Sequence, residues 1–247
     1  MSRNYIDFIS AYCDNWCERC AFTERCSHFA VMSALAMCDG NFGRALELAV
    51  GRAQRPDGSP QKALRERIAE ALPSQQEPSK KELDDIGREM DARNERVRRH
   101  LLAKASLDYS VAGQRWFEER HDRIDQTDGS TYDAVDLLQR DLFFIHVKVV
   151  RALDGKDEDP TGGFWDSAVQ NDWNGSAKVA LISIDRSERA WRRIAASLDD
   201  EAAAVLADSL AGLCAEMTRT FPSAMEFRRP GFDQPARGSA SNERGQP

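Results

Sequence analysis

Four cysteines crowd into one short stretch with the spacing Cys13-x3-Cys17-x2-Cys20-x5-Cys26. Four thiolates converging on one point are the ligand set of a tetrahedral zinc site or of an iron–sulfur cluster. Thiolates are soft donors, and soft donors select these metals over magnesium, calcium or manganese. Cys38 and Cys214 are different. Each stands in an apolar helical context, beside Met37 and Leu213, and reads as a small core residue. Cys38 is the reserve candidate for a ligand, and His28 is near enough in sequence to replace a thiolate.

The spacing separates the two metals. Structural zinc usually takes two close pairs set apart by a longer segment, and only Cys17-x2-Cys20 is such a pair. A cluster accepts three closely spaced thiolates with a fourth nearby, so the pattern favours [4Fe–4S] over zinc. Cys13, Cys17 and Cys20 stand at i, i+4 and i+7, which would place all three on one helical face. A bend must then return Cys26. Trp16, Phe22 and Phe29 would shield a cluster from water, and Arg19 and Arg25 would offset its negative charge. The first three cysteines are similar in spacing to the cluster triplet of radical S-adenosylmethionine enzymes. That triplet sits on a loop of a βα barrel, and no βα repeat is legible here.

Three other residues are candidates for chemistry. Arg140 and Asp141 precede His146 in an apolar helical pattern. An arginine four to six residues ahead of a histidine, followed by a polar residue, resembles the active-site pattern of HEPN-type helical ribonucleases. That resemblance implies RNA cleavage with Arg140 and His146 as the catalytic pair. Read from the residues alone, His146 lies in line with Leu142 and Val150 and is a hydrogen-bonded core histidine. Glu188 falls between Ile184 and Trp191 on an apolar stripe. A carboxylate there either lines a pocket or needs a cation, and Arg189, Arg192 and Arg140 are the candidates.

The elements that must position these groups are helical throughout, and an all-α fold is expected: a helical bundle with an N-terminal cysteine-cluster segment. Tyr5, Phe8, Ile9, Tyr12 and Trp16 carry helix spacing over residues 4–20. Helices are predicted over 27–37, 42–53 and 61–72, followed by a polar linker at 73–78. From Lys80 a long helical stretch carries a narrow seam of Leu83, Ile86, Met90, Val97 and Leu101. It runs on towards Ile124 with a break permitted at Ser110 or Gly113. Three amphipathic helices follow over 131–153, 176–198 and 202–217, and a long loop covers 154–175. The expected organisation is a metal-binding segment over 1–72, a bundle over 80–227 and a disordered tail over 228–247.

Charge and composition bound the partners. A net charge of −7 disfavours a nucleic-acid binder. The four arginines between Arg93 and Arg99 read as a solvated face. No run approaches the ~18 apolar residues of a spanning helix, so no membrane is expected. The N-terminus has an acid at Asp7 and no apolar core of a signal peptide, which predicts the cytoplasm. The narrow seam over residues 80–105 is the expected contact for a protein partner or a second copy of the chain.

Overall fold

The computed structural model describes residues 4–50, 79–124, 129–158 and 167–233. Among them there are seven α-helices and no strand. The helices are α1 (Ser27–Met37), α2 (Phe42–Val50), α3 (Lys80–Arg99), α4 (Leu101–Ile124), α5 (Gly129–Glu158), α6 (Asp172–Leu198) and α7 (Glu201–Thr220). The chain divides into two compact units, Met1–Met90 and Asp91–Pro247. The helix expected over 61–72 and the linker at 73–78 lie outside the described residues.

The first segment is not the helix that its apolar spacing predicts. Residues 4–26 form three separate 3-10 turns, Ile9–Tyr12, Cys17–Arg19 and Thr23–Arg25. Two non-glycine residues in the left-handed region, Phe8 (φ 59°) and Asn15 (φ 56°), break the helix before each of the first two turns. Ile9 and Tyr12 are buried, and α1 and α2 pack through Ala34, Ala45 and Ala49. Tyr5 ties the segment to α2 by donating its hydroxyl proton to the Ala49 carbonyl at 2.7 Å.

α3 opens with a reciprocal capping box. Glu82 accepts from the Ser79 N–H, and the Ser79 hydroxyl accepts from the Glu82 N–H. Residues 81–90 are all exposed, including Leu83, Ile86 and Met90 of the narrow seam, whereas Val97 is buried. The arginine run is not wholly solvated. Arg93 pairs with Asp154 at 3.0 Å and with Glu158, and Arg96 pairs with Asp157 at 2.6 Å, at the end of α5. The break that ends α3 is at His100, not at Ser110 or Gly113. The His100 Nδ1 accepts the Leu102 N–H at 3.1 Å and so caps the first turn of α4.

The four last helices make a closed antiparallel bundle. Ser106 and Ser110 of α4 meet His146 and Leu142 of α5. Thr131 at the start of α5 meets Ser197 at the end of α6, while Arg151 meets Asp172 at the other end. A short turn with Asp199 in the left-handed region joins α6 to α7, and α7 packs on both α6 and α4. Leu138, Leu142, Ile145, Ile184, Trp191, Ile194, Leu210 and Met217 fill the centre.

Small residues in α4 serve this packing. A Cβ on Gly113 would lie 2.3 Å from the Leu142 Cδ1 and 3.5 Å from the Trp191 ring. Gly113→Ala is expected to destabilise the bundle by about 1–3 kcal/mol through overpacking, less up to about 1 kcal/mol of gained helix propensity. An increase in the urea midpoint would contradict this.

The helices run further than their apolar patterns suggest, so the long connection is shorter than 154–175. α5 extends to Glu158, and α6 begins at Asp172, where Asn171 accepts the Asn174 N–H as cap. Residues 159–166, with Phe164 and Trp165, lie outside the described residues. Residues 228–233 of the expected tail are docked. Lys178 donates to the carbonyls of Met225 and Phe227 at 3.1 and 2.6 Å and pairs with Asp233 at 2.8 Å. Burial pushes the Asp233 carboxyl up, but hydrogen bonds from Arg229 and Lys178 outweigh it and hold the group well below the usual carboxylate range.

Candidate metal centre

Cys13, Cys17, Cys20 and Cys26 are half-buried and unbridged. Each follows from a short turn. Cys13 ends the Ile9–Tyr12 turn, whose buried Ile9 and Tyr12 anchor it. Cys17 opens the next turn, and its carbonyl accepts the Cys20 N–H at 3.2 Å. The third turn closes when Cys26 donates its N–H to the Thr23 carbonyl at 3.3 Å. Ile6 then donates to the Arg25 carbonyl at 2.9 Å, which lays the start of the chain along the third turn.

The thiols are electrostatic neighbours. Burial raises the Cys17 pKa first, and negative charge on Cys13, Cys20, Cys26 and Glu18 raises it further. Two sulfurs accept backbone protons: Cys20 from Phe22 at 3.4 Å and Cys26 from Phe29 at 3.4 Å. Cys26 is also the N-cap of α1, where the helix dipole favours negative charge. Among the described residues no group of three or more His, Cys, Asp or Glu side chains stands at metal-coordinating spacing.

Trp16, Phe22 and Phe29 are half-buried, and the Arg19 guanidinium stacks 4.1 Å above the Trp16 ring. Arg25 is exposed and donates to the Asn4 carbonyl at 3.3 Å. His28 is exposed on the first turn of α1. Cys38 caps the far end of that helix, about 18 Å from Cys26 at 1.5 Å per residue. It packs against the Ala34 cluster, as a core residue does.

The other candidates lie on the bundle and do not gather. Arg140 is exposed on α5, and His146 is half-buried about 120° away round the same helix. The His146 Nδ1 is 2.9 Å from the Ser106 hydroxyl, and burial lowers the imidazole pKa below 6.5. Below that value the unfolded chain takes up its proton before the folded one. Stability from this group is therefore present above pH 6.5 and is lost as the pH falls below it. His146→Gln is expected to flatten the acid side of the stability profile below pH 6.5, and an unchanged slope would refute this. Glu188 is half-buried and pairs with Arg192 at 3.4 Å, one of the partners expected for it.

One buried site centres on Asp141, named from the sequence only as the polar residue after Arg140, and takes in Arg186, Ser187, Tyr109 and Trp191, which the sequence reading did not link to it. Asp141 is bound by Arg186 through two hydrogen bonds of 2.5 Å and by the Ser187 hydroxyl at 3.1 Å. Beside it, the Trp191 ring N–H donates to the Tyr109 hydroxyl at 2.9 Å. The available signal is that Asp141 interrupts the apolar stripe of Leu138, Leu142 and Ile145. No protein-family model matches the chain, and neither a curated protein nor a solved structure matches it significantly. No helix among the described residues is long and apolar enough to cross a membrane.

Proposed function

We propose that Cys13, Cys17, Cys20 and Cys26 bind one metal centre, and that its occupant is a [4Fe–4S] cluster serving a redox, sensing or enzyme-supporting role. The observation that carries this reading is that three successive short turns present Cys13, Cys17, Cys20 and Cys26, all four half-buried and unbridged. The backbone N–H groups of Phe22 and Phe29 point at the Cys20 and Cys26 sulfurs, contacts that a metal-bound sulfur can also accept. Trp16, Phe22 and Phe29 supply an apolar surround, which with hydrogen bonds at sulfur sets a cluster's potential.

Zinc is the second reading. It is favoured by the tight Cys17–Cys20 turn, since such a pair is one half of a tetrahedral zinc site. Zinc would hold the turns together and leave the protein an interaction module. Ribonuclease chemistry at Arg140 and His146 has weaker support, because those side chains diverge around α5.

Purification without air, followed by a visible spectrum and by iron, sulfide and zinc analysis, tests the proposal. A brown protein with iron and sulfide in equal amounts is expected. A colourless protein with one zinc per chain replaces the cluster by zinc, and a chain that binds neither overturns both readings.

A further inference from the structure

α4 and α7 are tied at one end, where Trp116 and Arg120 donate to Asp200. Towards Leu101 the same two helices border an open groove of about 530 Å³. Its floor is apolar and buried, with Leu102 and Tyr109 from α4 and Leu206 and Leu213 from α7. Its walls are low. Ala105 and Ala112 line one side and Ser209 and Gly212 the other, and all four are exposed. A Cβ on Gly212 would meet nothing within 4 Å. Leu101, the last residue of the narrow seam, is 75% exposed at the mouth. From Leu101 to Ala112 the groove follows α4 for about 17 Å, or three helical turns. Small side chains over an apolar floor let another backbone approach closely. That is the shape into which an amphipathic helix lays its apolar face.

Charge selects the occupant. The charged side chains that line the groove are Asp108 and Glu216, and among the described residues no Lys, Arg or His lines it. Glu216 also pairs with Arg219, so Asp108 is the stronger determinant. A second copy of this chain fits poorly. Its exposed apolar ridge, Leu83, Ile86 and Met90 of α3, lies in a segment with five carboxylates and three cations between Lys80 and Asp91. Like charges would then meet across the groove.

We infer that the groove between α4 and α7 binds a partner protein through a basic amphipathic helix of about three turns. The apolar face of that helix covers Tyr109 and Leu213, and a lysine or arginine beside it meets Asp108. The inference stands apart from the metal centre.

The full-length chain is titrated into a fluorescein-labelled peptide of about 18 residues, long enough to hold a helix. Leucine occupies one helical face and lysine the rest, and a twin peptide carries glutamate in place of lysine. Salt at about 0.15 M screens bulk charge. Gly212→Trp fills the groove, and Asp108→Lys reverses its charge. Asp84→Lys makes the same charge change on the exposed part of α3. Circular dichroism is the folding control, and Asp108→Lys carries the test alone if Gly212→Trp does not fold. The lysine peptide is expected to bind. Gly212→Trp and Asp108→Lys are each expected to weaken it about tenfold or more, and Asp84→Lys to leave it unchanged. No binding, equal binding of the glutamate twin, or equal weakening by Asp84→Lys overturns the inference. So does a dimer in sedimentation that Gly212→Trp dissociates, which would give the groove to a second copy.

Discussion

If the four cysteines hold a metal as proposed, stripping it is expected to unfold residues 4–50 while the helices from α4 to α7 stay intact. The cause is the size of the core. In this part of the first unit the buried apolar residues are Ile9, Tyr12, Ala34, Ala45 and Ala49, and the three alanines bury little surface. Ordering the backbone costs about 1–2 kcal/mol per residue, which so small a core does not offset. Small domains meet this deficit with disulfides or metals, and the cysteines here are unbridged. A structural thiolate site supplies about 10–16 kcal/mol at neutral pH when the metal is zinc. Ferricyanide with EDTA removes a cluster, and EDTA at mildly acidic pH removes zinc. Trypsin should then cut rapidly at Arg19, Arg25 and Arg44, while a fragment covering the bundle persists. Equal protection of these sites before and after stripping would rule out a folding role for the metal.

The second large effect is expected inside the bundle. Asp141→Ala removes the counterion of Arg186 and a partner of the Ser187 hydroxyl. The Asp141 side chain is 2% exposed and the Arg186 side chain 19%, so water does not readily replace the lost carboxylate. Breaking such a pair from one side costs about 3–5 kcal/mol. Removing both charges is a different experiment. Asp141→Leu with Arg186→Leu leaves no orphan, and that double variant is expected to be much closer to the unaltered protein. Urea unfolding of the three proteins checks this. A loss below about 1 kcal/mol for Asp141→Ala would class the pair with exposed ion pairs, which contribute little.

The bundle was legible because its helices bury one stripe each. The spacing of Leu138, Leu142, Ile145 and Val149, and of Ile184, Trp191 and Ile194, required amphipathic helices, and all of these residues are buried. Small residues were harder to read. Ser110 and Gly113 look like helix breakers in isolation. In the fold Ser110 donates to the Leu142 carbonyl at 2.6 Å and Gly113 admits the Leu142 side chain. Both make room for a neighbouring helix, and nothing local to α4 reveals that. At the cysteines the difficulty is reversed. Apolar spacing over Tyr5–Trp16 imitates a helix, yet left-handed Phe8 and Asn15 divide it into turns. The sequence groups Cys13 with Cys17 and Cys20 on one face. Backbone hydrogen bonds instead set Cys20 and Cys26 apart as the pair of sulfurs already accepting protons.

The carboxylate of Asp200 has a consequence for how this chain can be altered. Its oxygens accept from the Ala203 N–H at 2.9 Å, the Trp116 ring N–H at 3.1 Å and the Arg120 guanidinium at 2.7 Å. One anion therefore starts α7, closes the turn after α6 and fixes the end of α4. Residues inserted between Leu198 and Asp200 would leave the Asp200–Ala203 cap intact, since both lie beyond the insertion, but would put the two ties to Trp116 and Arg120 of α4 under load. The same linkage makes this turn a poor place to open the chain for circular permutation or to graft a reporter. Helix joints of a bundle usually tolerate such surgery; here the joint is a structural keystone, and engineered cuts belong elsewhere.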